Sequence, residues 1–121
     1  MTRVLYISYD GMTDNLGQSQ VIPYLKGLSE HGYSFTILSC EKPDQYVKKK
    51  TLIKDLLDQN NIDWSPVVYH KSPPVLSTMY DLSQMRSKAI LLQKESKFDI
   101  VHCRSYLPSL VGLNLKRKFG L

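Results

Sequence analysis

Two short segments hold the residues whose types and spacing could do chemistry. The first, Asp10-Gly11-Met12-Thr13-Asp14-Asn15-Leu16-Gly17-Gln18-Ser19-Gln20, is polar and glycine-punctuated and follows the apolar run Val4 to Tyr9. The second, Asp99-Ile100-Val101-His102-Cys103-Arg104-Ser105-Tyr106, ends a short strand pattern with an imidazole and a guanidinium. A buried strand that empties into a glycine-rich loop and then a helix aims free backbone N–H groups and the positive end of the helix dipole at one spot. Such a spot suits negatively charged or hydroxyl-rich ligands. An imidazole can donate to a sugar hydroxyl or accept from one, and arginine is a fixed fork for phosphate or carboxylate. Strand alternation puts Ile100, His102 and Arg104 on one face and Val101 and Cys103 on the other. The ligand-contacting candidates are Asp10, Gly11, Gly17, Gln18 and Ser19 of the first segment and His102, Arg104, Ser105 and Tyr106 of the second.

The first segment contains neither G-x-G-x-x-G nor G-x-x-x-x-G-K-[ST], since Gly11 and Gly17 are six apart and Gly17 is followed by Gln18-Ser19-Gln20. That spacing argues against a dinucleotide fingerprint and against a P-loop. Glu41, just past the second strand pattern, does stand where dinucleotide-binding domains carry the acidic ligand of the ribose, which keeps an NAD-type site among the alternatives. No Cys/His spacing matches a metal site. No resident cofactor or metal is expected. His70 and Lys71, after the third strand pattern, are a further pair that could reach the same cleft.

These side chains need a scaffold, and hydrophobic periodicity supplies one. The strand from about Arg3 to Tyr9 is followed by Val21, Ile22, Leu25 and Leu28 at helical spacing, with Ser19 as N-cap, Pro23 near the first turn and Glu30-His31-Gly32 closing the helix. Tyr33 to Cys40 reads as the second strand, and Asp44 to Asn61 as a helix with Leu52, Ile53, Leu56 and Leu57 opposed to lysines. Ile62 to Tyr69, interrupted by Pro66, is the third strand. After Pro73-Pro74 a long helical pattern from about Val75 to Lys97 carries Leu82, Met85, Ala89 and Leu92 on one stripe. Asp99 to Cys103 is the fourth strand, and Leu107 to Phe119 a helix ended by Gly120. Strands separated by helices of roughly ten or more residues make βαβ units and a parallel sheet. The expected fold is therefore α/β, a Rossmann-like doubly wound parallel sheet of four βα units in the order 3-2-1-4. In that order Cys40 and Cys103 flank the first strand at about 9 to 10 Å, too far for the roughly 7 Å limit of a disulfide.

Composition bounds the function classes. The 121 residues suffice for one domain, and no apolar stretch approaches the roughly 20 residues of a membrane span. Two cysteines without a secretory pattern favour a reducing, cytoplasmic setting. Sixteen Lys and Arg against eleven Asp and Glu give +5, which favours acidic partners. The basic residues cluster at Lys48-Lys49-Lys50-Lys54, around Lys88, Lys94 and Lys97, and at Lys116-Arg117-Lys118. No aromatic platform is interleaved with them for base stacking, so nucleic acid is not an expected partner. A face of this kind can dock on the anionic inner surface of a membrane.

The strand Arg3 to Tyr9, the loop ending Gly17-Gln18-Ser19-Gln20, the Leu25 to Leu28 helix closing in Glu30-His31-Gly32-Tyr33, and Asp99-Ile100-Val101-His102 resemble the N-terminal domain of family 4 glycosyltransferases of the GT-B fold. The likeness spans the whole chain but only about the first third of such an enzyme. It implies a retaining transferase that moves a sugar from a nucleotide-sugar donor to a glycan or lipid-linked acceptor, usually without a metal. Two Rossmann-like domains then face each other across a cleft, the N-terminal one holding most of the acceptor site. By position, Gly17 and Gln18 would lie against the donor phosphate or acceptor, and His102 with Arg104 would line the cleft near the transferred sugar as the candidate catalytic residues. Many members carry a second histidine two residues after the first, where this sequence has Arg104. An acidic sugar or an acceptor phosphate would account for the arginine.

On this reading the sequence is expected to be an incomplete N-terminal domain, since a doubly wound sheet normally continues to a fifth strand or beyond, and the paired glutamates and basic residues that bind the nucleotide belong to the C-terminal domain. The polypeptide alone is then inactive, and its fourth strand is an exposed edge that promotes association. The alternatives are half of a GT-B nucleotide-sugar epimerase and a non-enzymatic, flavodoxin-like nucleotide-binding module.

Overall fold

A computed structural model describes residues 2–9, 11–13, 21–70, 74–104 and 106–120, with the side chains of residues 74, 75, 106–110 and 114 left out. Strands and helices alternate through the chain: β1 (Thr2–Ser8), α1 (Ile22–Ser29), β2 (Tyr33–Glu41), α2 (Pro43–Gln59), β3 (Asp63–Val68), α3 (Pro74–Ser96), β4 (Ile100–Arg104) and α4 (Tyr106–Phe119). The four strands form one sheet in the order β3-β2-β1-β4, and every pairing is parallel. The architecture is a Rossmann-like α/β fold, as the alternation of periods predicts.

Alternation along the strands splits the core into two layers. Val4 and Tyr6 of β1 with Phe35 and Ile37 of β2 pack against Ile22 and Leu25 of α1 and Ile53 and Leu57 of α2. Leu5 and Ile7 with Leu38 and Cys40 pack on the opposite face against Met85 and Ala89 of α3 and Val111 and Leu115 of α4. Central strands covered on both faces must be apolar on both, which is why Val4 to Ile7 reads as a run rather than an alternation. Their side chains are nearly inaccessible to solvent.

Helix ends follow the backbone chemistry of their sequences. Asn61 takes a left-handed φ of 57°, and the bonds Asn61 N–H to Asp58 O (3.1 Å) and Ile62 N–H to Leu57 O (2.9 Å) close α2 as a Schellman motif. Ile62 and Leu57 are then both held in the core. Pro43 opens α2 at a position where a missing N–H costs nothing. Ser19 lies outside the described residues, and the residue at the N-cap of α1 is Val21, which makes no side-chain capping bond. Pro66 is accommodated because β3 is an edge strand.

Both cysteines are free, and β1 runs between their strands. Val101 and Cys103 pack on the α3 and α4 layer, while Ile100 is 44 % exposed on the other face. Among the described residues, no helix is long and apolar enough to cross a membrane.

Candidate functional site

The carboxyl ends of the four strands form a rim, and the connection to the next helix leaves from each of them. In an open doubly wound sheet the ligand crevice lies where successive connections depart to opposite faces. Here the chain leaves β1 toward α1 on one face and β4 toward α4 on the other, and β1 and β4 are neighbours. Ser8 and Arg104, the last residues of these strands, are register partners at that divide.

The first loop is fixed to the sheet by a buried carboxylate. Glu41, the last residue of β2, is 2 % exposed. Its oxygens accept from the Met12 N–H at 2.8 Å, the Thr13 N–H at 3.0 Å and the Thr13 hydroxyl at 2.7 Å. The Ser39 hydroxyl also donates to it, and Ser39 Oγ in turn accepts from the Trp64 indole at 2.9 Å. Three loop donors on one carboxylate satisfy backbone groups that a strand-to-helix loop otherwise leaves to water. Glu41 is thus a bolt for the first loop, with no accessible carboxylate for a ribose, and the NAD-type alternative loses its ligand. Gly11 is required by the same contact, since a Cβ there would meet Glu41 Oε1 at 2.6 Å.

A second buried carboxylate ties the first loop to the third. Asp81 of α3 is 0 % exposed. It accepts from the His70 backbone N–H at 2.9 Å and from the Tyr9 hydroxyl at 3.3 Å, and its Oδ1 lies 2.6 Å from His70 Nδ1. The Tyr9 ring meets Tyr69 edge-on at 5.8 Å, and the His70 ring meets Tyr80 edge-on at 4.9 Å. Burial first, and then the Asp81 charge, push the Tyr9 phenol up to about 12 against the opposing hydrogen bond from Thr78. Burial likewise raises the Cys40 thiol, with Asp81 and Glu41 adding to it. The Cys103 thiol is raised by burial as well.

The candidate residues occupy different levels of this rim. Arg104, half-buried, is the last residue of β4. His102 lies two residues earlier, paired with Tyr6, and its exposed ring lies 4.9 Å from the Tyr6 ring on the α1 face. It therefore borders the crevice from the open side of β4 rather than from its crest. Asp99, the acid of the Asp-x-x-His pattern, joins the starts of β1 and β4. Its carboxylate accepts from the Arg3 N–H at 2.9 Å, and its own N–H donates to Arg3 O at 2.8 Å. Gly11 is placed at the rim. Asp10, Gly17, Gln18, Ser19 and Ser105 lie outside the described residues, and of Tyr106 only the backbone, at the start of α4, is described.

Sequence reasoning assigned nothing to Asp81. It stands four residues before Met85 and eight before Ala89, both fully buried, so an acid on the apolar stripe of α3 was the available signal. A groove of about 510 Å³ runs elsewhere, beside edge strand β3 between Tyr46, Lys50, Lys54 and Trp64 on one side and Leu92 and Glu95 on the other. Lys50 lies 5.4 Å over the Tyr46 ring, so an aromatic does accompany the lysines of α2, but its edge is spent on Trp64. Its mixed charges and its position away from the carboxyl rim make it a weaker candidate than the crevice. The chain matches no protein-family model, no curated protein sequence and no solved structure at a significant level.

Proposed function

We propose that this chain is the acceptor-side domain of a retaining glycosyltransferase of GT-B architecture, working on a sugar donated by a nucleotide sugar and on a glycan or lipid-linked acceptor. The observation that carries this reading is the register of Ser8 with Arg104 at the divide between β1 and β4, beside a first loop fixed by Glu41. Half of a cleft needs a rigid wall, and the Glu41 bonds supply it. Arg104 brings a permanent positive charge suited to a phosphate or carboxylate on the acceptor or sugar. His102, exposed beside it, can exchange hydrogen bonds with hydroxyls. A second Rossmann-like domain binds the nucleotide and completes the cleft. The lysine-bearing face of α2 and the last turn of α4, with Lys116, Arg117 and Lys118, then lie available to anionic lipid around a membrane-borne acceptor.

A donor-turnover assay tests the assignment. The 121-residue polypeptide, incubated with UDP-glucose, UDP-galactose, UDP-N-acetylglucosamine or GDP-mannose, is expected to release no nucleotide diphosphate. Release from any of them would contradict the placement of donor chemistry in a second domain.

A further inference from the structure

The His70–Asp81 pair is built more elaborately than a loop tie requires. An ionised carboxylate only accepts hydrogen bonds, so Asp81 draws the proton of a neutral His70 ring to Nδ1, 2.6 Å away. Nε2 then carries the lone pair. The His70 side chain is 41 % exposed whereas that of Asp81 is wholly buried, and among the described residues Nε2 has no hydrogen-bond partner. The backbone N–H of His70 is bonded to the same carboxylate, so the ring is fixed at two points. Tyr80, 57 % exposed, holds the ring from its side. A fixed acceptor atom beside an exposed aromatic ring is a pairing found in sites for small polar ligands.

The ligand class follows from charge. A lone pair backed by a buried carboxylate repels phosphate and carboxylate groups and attracts O–H donors. Asp81 also bonds Tyr9, the residue that leads into the first loop, so the pair belongs to the same rim. We propose that His70 and Asp81 form a hydroxyl-binding station of the acceptor cleft, in which an O–H of a neutral saccharide donates to His70 Nε2 and its ring lies along Tyr80. This rests on the acceptor-side reading above and names the part of the acceptor it holds. Arg104 takes the anionic group, and His70 takes a neutral one.

Imidazole nitrogen NMR on the 15N-labelled chain tests it, with methyl glycosides of glucose, galactose, mannose and N-acetylglucosamine in large excess as probes. The expected result is a His70 ring with Nδ1 protonated and Nε2 bare, whose Nε2 resonance moves on addition of at least one glycoside. His70→Asn keeps an N–H that can donate to Asp81 and removes Nε2. It should fold and lose about tenfold in affinity for that glycoside, the worth of one hydrogen bond. A His70 protonated at Nε2, or one that does not respond while Gly11 to Thr13 amides do, would overturn the station and leave the acceptor-side reading in place. Silence of both His70 and those amides toward every glycoside would overturn the two together.

Discussion

Gly11 and Glu41 are in such close approach that a methyl group on Gly11 would come within 2.6 Å of Glu41 Oε1. Gly11→Ala must therefore displace either the first loop or a carboxylate held by four donors, and an overpacked buried site of this kind costs about 1–3 kcal/mol. Glu41→Gln leaves the shape and puts an amide N–H among donors, with an expected loss of about 2–4 kcal/mol. Urea titration followed by Trp64 fluorescence measures both. Equal stability of Glu41→Gln and the parent protein would show that the bolt contributes nothing.

A similar contact fixes α4 on β4. A Cβ on Gly112 would overlap Cys103 Sγ and touch Val101 Cγ1 at 3.5 Å. Gly112→Ala is expected to destabilise by about 1–2 kcal/mol despite the better helix propensity of alanine. Because the obstacle is one sulfur atom, Cys103→Ala should restore most of that loss in the double variant. A thermodynamic cycle with strictly additive changes would contradict the contact.

The alkaline limb of stability follows from raised acidities. Tyr9 ionises at about 12 in the fold, against about 10 in an unfolded chain. Up to pH 10 both states keep the proton, so its contribution is intact there. Between about pH 10 and 12 the unfolded chain releases it first, and stability falls. The Cys40 and Cys103 thiols, both raised by burial, begin the same decline from about pH 8.5. Tyr9→Phe should flatten the upper part of the curve of unfolding free energy against pH. Cys40 should stay unreactive to a thiol reagent until the protein unfolds, and rapid labelling of native Cys40 would count against its burial.

Edge strand β4 offers one side to a partner, and Ile100 stands 44 % exposed upon it. An uncovered apolar edge is a template for pairing. Sedimentation velocity should show a mass that grows with concentration, and Ile100→Lys should reduce the growth. A monomer across the whole concentration range would refute the expectation.

Much of this fold was legible because its signals are local. The apolar run of β1, the period of α2 and the left-handed stop at Asn61 each sit within a few residues. The order of the strands followed from the doubly wound rule rather than from any residue. The site was less legible because its bonds are distant in sequence. Glu41 reaches donors 28 and 29 residues away, so the sequence showed an acid after a strand and suggested a ribose ligand. Asp81 and His70 stand 11 residues apart, one on α3 and the other after β3, and only the buried row Ser77, Asp81, Met85 and Ala89 betrays the acid's position. His102 was placed on the correct face but too near the crest, since β4 continues to Arg104.

The central claim is that the rim between β1 and β4 binds saccharide. Amide chemical-shift mapping of the 15N-labelled chain with the four methyl glycosides, and separately with UDP and GDP, addresses it directly. A glycoside should shift Gly11 to Thr13 and His70 together. Glycoside shifts confined to the β3 groove around Tyr46 and Lys50, or a rim that responds to nucleotide and to no glycoside, would contradict it.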